Sequence, residues 1–156
     1  MTLPLSFGDS AWPPESGRTM GSTTNRAAVV RVVGPADTAE SLGSGDVAVL
    51  ATPRLIAWAE AATVLAAVSL LAPGQTSVGV AIDVKHLAAS PVGAEVEVCA
   101  VVSASTGSRI DFDVTAHNCQ PDGINKQVLS GRVSRAIVDR GDFQTRFAKP
   151  PVGSGP

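Results

Sequence analysis

The stretch ATPRLIAWAEAATVLAAVSLLAPG, residues 51–74, constrains this chain more than any other. It reads as one long apolar helix. Thr52 is a residue type favoured at helix N-caps, and Pro53 suits the first helical turn. The sequence APG at 72–74 ends it, with Gly74 available as a left-handed cap. Such a helix runs about twenty residues, or roughly 30 Å at 1.5 Å per residue. Its middle holds a single carboxylate, Glu60, among alanines and apolar side chains. Three explanations compete: a membrane span with a defect, an acid on a wet face, or an acid placed for chemistry.

The membrane explanation is the weakest. Residues 55–72 barely reach spanning length. Much of the stretch is alanine, which contributes little transfer energy, and a central acid costs roughly 2.5–3.5 kcal/mol or more on insertion. The chain has 156 residues, enough for one domain with a real core and no disulfide staples. Its 44% hydrophobic and 17% charged residues fit a globular protein, and the net charge of −2 comes without a basic patch for nucleic acid. Cys99 and Cys119 have no CxxC spacing and lie in strand-like runs, so they read as small buried or half-buried hydrophobes. The first 25 residues lack a basic segment followed by an apolar one, so no secretory signal and a cytoplasmic location are expected. Their Pro, Gly, Ser and Thr content predicts a flexible arm over 1–25, then a domain over 26–147 and a flexible tail over 148–156.

Outside the helix the period changes from that of a helix to that of strands. AAVVRVVG (27–34) is β-branched, and the polar, Gly-containing PADTAESLGSGDVAVL connects it to the helix. Four runs follow, over 76–89, 94–105, 108–119 and 126–139. In the first, Val78, Val80, Ile82 and Val84 alternate with Gly79, Ala81, Asp83 and Lys85. In the third, Ile110, Phe112, Val114 and Ala116 alternate with Arg109, Asp111, Asp113 and Thr115. Turn chemistry separates the runs, and each has one apolar face. One strand, a long helix and four successive antiparallel strands predict an α+β domain of hotdog type: a long central helix wrapped by a curved antiparallel sheet.

Few groups remain for chemistry. The two histidines, His86 and His117, and the two cysteines fit no zinc spacing, and there is no Walker loop, GxGxxG or GxSxG. No metal or cofactor is implied. Glu60 reads either as a solvated acid on an uncovered helix stripe or as a carboxylate in a low-dielectric cleft, with a raised pKa and usable as base or nucleophile. His86 reads either as a strand-end surface residue beside Lys85 or as a proton carrier. His117, in DVTAHNC, reads as structural. If the helix begins at Pro53, Thr52 and Glu60 lie about 12 Å apart along its axis and roughly 80° apart around it. Direct contact within one subunit then requires a later helix start or a bend. Otherwise Thr52 reaches a longer substrate or only caps the helix.

LATPRLIAWAEAA followed by TSVGVAIDVKHLAASPVGAEVEV resembles the fluoroacetyl-CoA thioesterase type of hotdog enzyme, over about residues 47–139. That family has an Ala-Thr step before the helix and a Glu within it. A Gly follows early in the next strand, with a His at that strand's end and an Ala-Ala-x-Pro-x-Gly turn. The matching positions are Thr52, Glu60, Gly79, His86 and AASPVG. The resemblance implies hydrolysis of acyl-CoA thioesters by a homodimer or a dimer of dimers, with acyl-CoA as the partner and neither nucleic acid nor membrane. It implies Glu60 as base or nucleophile, His86 as proton shuttle and Thr52 as the hydroxyl of a triad. The Gly79 N–H becomes a donor to the thioester carbonyl across the dimer. Arg135 matches a family arginine near a strand end and is expected to meet a CoA phosphate or to form a surface ion pair. Family enzymes that take the fluorinated substrate carry lid phenylalanines just before the helix. SLGSGDVAVL has no aromatic there, so a different or longer acyl group is expected. A non-catalytic acyl-CoA or acyl-carrier binding protein of the same fold is the alternative. A hydratase would need an Asp and His motif that the sequence lacks.

Overall fold

The computed structural model describes residues 25–123 and 125–148. The expected arm and tail, apart from Asn25 and Ala148, lie outside the described residues. The chain forms β1 (Arg26–Val32), a 3-10 turn at Pro35–Asp37, α1 (Ala39–Leu42) and α2 (Thr52–Ala67) with a 3-10 turn over Val68–Leu70. β2 (Gln75–His86), β3 (Glu95–Ser105), β4 (Arg109–Cys119), β5 (Lys126–Asp139) and α3 (Arg140–Phe147) follow. The long helix is therefore sixteen α-helical residues with a tightened end rather than about twenty. Gly74, at φ 83, serves the tight turn closed by the Gln75 N–H to the Ala72 carbonyl rather than capping α2.

All five strands join one sheet in the order β1-β3-β4-β5-β2, with every neighbouring pair antiparallel. Alternation predicts the faces of β3 and β4 well. Ile110, Phe112, Val114 and Ala116 of β4 and Val96, Val98 and Ala100 of β3 are fully buried against α2. From the helix come Leu55, Trp58, Ala59, Ala62, Ala66 and Ala67, spaced three and four apart on one face. The alanines let helix and sheet approach closely, so a residue run that looked membrane-like is instead the centre of the core. Thr52–Leu70 is long and apolar enough to cross a membrane by length and composition, but here its buried face packs on the sheet. Cys99 is buried and Cys119 half-buried, as read from their strands.

Two features of the sheet position the site. The first is topological. β2 does not pair with β3, its successor in sequence, but lies at the far edge beside β5. The connection over residues 87–94 must cross the sheet end, three strand spacings, or about 14 Å at 4.7–4.9 Å each. It is pinned on the way. The Leu87 N–H bonds the Val128 carbonyl (2.8 Å), and the Ser90 hydroxyl donates to Asn118 Oδ1 (2.6 Å). The Ser90 carbonyl in turn accepts from the Leu50 N–H at 2.8 Å, which ties the segment before α2 to the segment after His86.

The second feature is a bulge. Gly79 pairs with Arg135 and Ala81 with Ser134, leaving Val80 as an extra residue on β2. Strict alternation would place residues seven apart on opposite faces. With the bulge, Ser77 and Gly79 before it and Ile82, Val84 and His86 after it share the helix-facing side. The expected single face of Val78, Val80, Ile82 and Val84 is thus interrupted. Val78 pairs with Ala136 on the outer parity.

Candidate active site

Thr52 does not cap α2. The N-cap is Ala51, Thr52 is the first helical residue, and no side chain makes a capping bond there. Its hydroxyl is free for another partner and lies 2.8 Å from His86 Nδ1. The crossing segment makes this contact possible, because the Leu50–Ser90 bond brings the start of α2 beside the end of β2. The other ring nitrogen, Nε2, is buried and makes no hydrogen bond among the described residues. Burial pushes the imidazole below its ordinary value, offset in part by the backbone of Ala88. A neutral imidazole at neutral pH follows. Either the Thr52 O–H donates to Nδ1, leaving Nε2 as the N–H donor, or Nδ1–H donates to the hydroxyl, leaving Nε2 as a base. The pair opens onto a cavity of about 380 Å³ lined largely by aliphatic side chains.

Glu60 belongs to a second constellation. Its Oε2 lies 3.4 Å from Arg135 Nη1, so the acid that looked unpartnered in sequence has a partner 75 positions away. Arg135 is 6% exposed. Its Nε donates to Ser77 Oγ (2.8 Å), Nη2 to the Ser77 carbonyl (3.0 Å) and Nη1 to Thr63 Oγ1 (3.5 Å). The ion pair that was expected at the surface is thus a buried one, to Glu60. The guanidinium is spent inside the fold, on the helix and on β2. Burial lowers its proton affinity and the Glu60 carboxylate raises it. A signal in the sequence could have revealed this: Arg135 has the parity of Val133 and Ile137, the inward side of β5.

Gly79 completes this second group. A Cβ built on Gly79 would sit 2.6 Å from Glu60 Oε2, closer than real Cβ contacts. The glycine therefore makes room for the carboxylate. The bulge beside it interrupts the β2–β5 ladder.

The two constellations do not meet within one subunit. Gly79 and His86 are separated by seven residues, about 20 Å of strand at 3.2–3.4 Å per residue. Thr52 and Glu60 are about 12 Å apart along α2. His117, read as structural, lies buried in the β4 register opposite Glu97, and burial lowers its pKa as well. No cluster of three or more metal-ligand side chains exists among the described residues.

The family profile of the fluoroacetyl-CoA-specific thioesterases (FlK) matches residues 33–141. The chain belongs to this family of thioester hydrolases. It is 36% identical over 106 residues to the fluoroacetyl-CoA thioesterase of Streptantibioticus cattleyicolor, spanning 67% of this chain and 73% of that one. The solved structure of the fluoroacetyl-CoA thioesterase FlK superposes with a TM-score of 0.70 at 30% identity, over 85% of this chain and all of that one. A thioesterase superfamily member from Thermus thermophilus gives a TM-score of 0.71 at 25% identity, covering 80% of this chain and 88% of its own. A hot-dog-like protein from Thermanaerovibrio acidaminovorans, at 22% identity and a TM-score of 0.68, shares the fold. The α+β hotdog architecture and the family read from the Thr52, Glu60, Gly79 and His86 pattern are both borne out.

Proposed function

We propose that this protein hydrolyses acyl-CoA thioesters to free acid and CoA, working in the cytoplasm as a homodimer whose active sites straddle the subunit interface. The observation that carries this reading is the Thr52–His86 pair, with its imidazole pushed towards the neutral form and Nε2 without a partner among the described residues, beside an apolar cavity in a thioesterase fold. The homodimer is supported by the open edge of β2. That edge is twelve residues long and leaves Val80 and Ile82, 54% and 41% exposed, in the open, and such edges are usually paired or protected. Val64 and Val68 add an uncovered apolar stripe on the helix.

A two-fold axis through Asp83, with Val80 counted as the extra bulge residue, would pair β2 with its copy antiparallel. His86 would then face the partner subunit's Gly79, and Gly79 the partner subunit's His86. One register thus builds two equivalent sites. Each joins Thr52 and His86 of one protomer to Gly79 and Glu60 of the other.

In such a site Glu60, held by Arg135, attacks the thioester carbon or takes a proton from the attacking water. Carbonyl oxygen charge is met by backbone N–H groups at the Gly79 bulge. His86 moves protons between water, Thr52 and the departing sulfur. The CoA thiol has a pKa in the ordinary thiol range, about 8.5, so it leaves readily and the demand for a strong acid is modest.

Thiol release from a panel of acyl-CoAs tests the reading. Glu60→Gln and His86→Ala are each expected to lower turnover at least about tenfold, within the scale of acid–base contributions. Binding of acyl-CoA without thiol release by the unaltered protein would favour the non-catalytic carrier instead.

A further inference from the structure

We propose that the cavity beside the Thr52–His86 pair holds the acyl group, and that it selects aliphatic acyl chains longer than acetyl, up to about a dozen carbons; this rests on the thioesterase reading above.

The cavity is built by the segment between β1 and α2 closing against the crossing segment after β2. Its walls are Ala39, Val47, Val49 and Leu50 on one side and Leu87 and Ala88 on the other. The upstream wall is a preformed structure, not a loose connection. The Ala39 N–H bonds the Val49 carbonyl (2.9 Å), the Glu40 N–H bonds the Val47 carbonyl (3.2 Å), and Gly43 turns the chain at φ 72. The isolated bridge Thr38–Leu50 closes this wall on itself, and Val49–Pro91 ties it to the crossing segment. Thr52 and His86 also line it, and among the described residues the other polar side chain in the lining is that of Ser44.

Size and chemistry both point to aliphatic chains. A volume of about 380 Å³ has room for about a dozen water-sized groups at roughly 30 Å³ each. The two carbons of an acetyl group would leave most of it unfilled. Among the described residues the lining contains no acidic, Lys, Arg, Phe, Tyr or Trp side chain. A dicarboxylic acyl group would find no cationic partner for its second carboxylate among the described lining residues and would give up apolar contact. A flexible hydrocarbon chain meets only aliphatic contacts.

The size of the effect follows from burial. A fully buried methylene is worth about fourfold in affinity, and one in an open cavity about twofold to fourfold. From acetyl to hexanoyl, four methylenes longer, kcat/KM is expected to rise by about 15- to 250-fold. Val47→Phe, at a 54% exposed position that tolerates a larger side chain, narrows the cavity. It is expected to shift the optimum down by at least about two carbons.

The test is kcat/KM for acetyl- through dodecanoyl-CoA and succinyl-CoA, for the unaltered chain and Val47→Phe. Affinity for non-hydrolysable S-alkyl CoA thioethers of the same lengths is measured beside it. A rate and an affinity that both climb with chain length, and shorten together in Val47→Phe, support the proposal. A chain-length-dependent affinity without any thiol release supports the cavity assignment and defeats the thioesterase reading. A flat affinity profile, a preference for succinyl-CoA or an equal loss at every length in Val47→Phe overturns the proposal.

Discussion

Adding one methyl group to Gly79 separates catalysis from stability. The backbone at Gly79 is not in the left-handed region, so alanine can adopt its conformation. The added carbon would lie 2.6 Å from Glu60 Oε2, 3.6 Å from its Cδ and 3.8 Å from Arg135 Nη1. Only the first contact is too short. Relief to ordinary contact near 3.4 Å requires the carboxylate to move by about 0.8 Å. A displacement of about 1 Å in a reacting group can cost on the order of a hundredfold in rate. The obstructing atom is the end of a flexible, 35% exposed side chain, so the cost to folding is small, about 1 kcal/mol or less. At roughly 2–4 °C per kcal/mol for a domain of this size, the melting temperature should fall by no more than about 4 °C. Gly79→Ala is therefore expected to lower kcat by about ten- to hundredfold, with little change in KM and in thermal stability. The effect should nearly vanish in a Glu60→Gln background, since the displaced group is already inert there. The assay is thiol release on the preferred acyl-CoA with a melting curve beside it. Gly79→Ala at full kcat, or additive losses in the double variant, would refute the reasoning.

Two further outcomes follow from the same geometry. Arg135→Ala removes four polar contacts of a buried guanidinium and leaves Ser77 and Thr63 unsatisfied, so a loss of about 2–4 kcal/mol in chemical denaturation is expected. Arg135→Lys, which keeps the charge without the fork, should recover only part of both stability and kcat. On acidification, His86 and His117 act in one direction, since burial lowers both below the unfolded value of about 6.5. Between the folded and unfolded pKa the unfolded chain binds more protons, so stability should rise with pH and fall as pH drops below about 6.5. Denaturation midpoints between pH 5 and 8 check this, and substituting both histidines with Gln should flatten the profile.

Much of this was legible in the chain because binary patterning settles which faces are buried. Phe112 and its neighbours on β4 alternate as a half-buried strand must, and the punctuation at Pro53 marks the helix start. The Glu60, Gly79 and His86 positions were readable as a set. Their arrangement in space was not. A period of two cannot show a bulge, and without the bulge Gly79 and His86 fall on opposite faces. The strand order was equally hidden. Sequence adjacency suggests β2 beside β3, whereas the crossing segment over 87–94 places β2 at the far edge and so brings Thr52 to His86. Arg135 was misread because a cation near a strand end suggests the surface. Only its parity with Val133 marks it as inward, and only the fold supplies Glu60, Ser77 and Thr63 as its partners.

The division of the site between two subunits is the central claim, and mixing inactive variants tests it most directly. Glu60→Gln and His86→Ala are each inactive as pure dimers on this account. When they are unfolded together and refolded, half of the dimers are mixed. Each mixed dimer carries one intact site, made of His86 from one chain and Glu60 from the other, so about a quarter of the unaltered activity returns. If Glu60 and His86 instead act from the same chain, no mixed dimer holds an intact site. Activity that stays at the level of the separate variants, with mixed dimers demonstrably formed, would contradict the account.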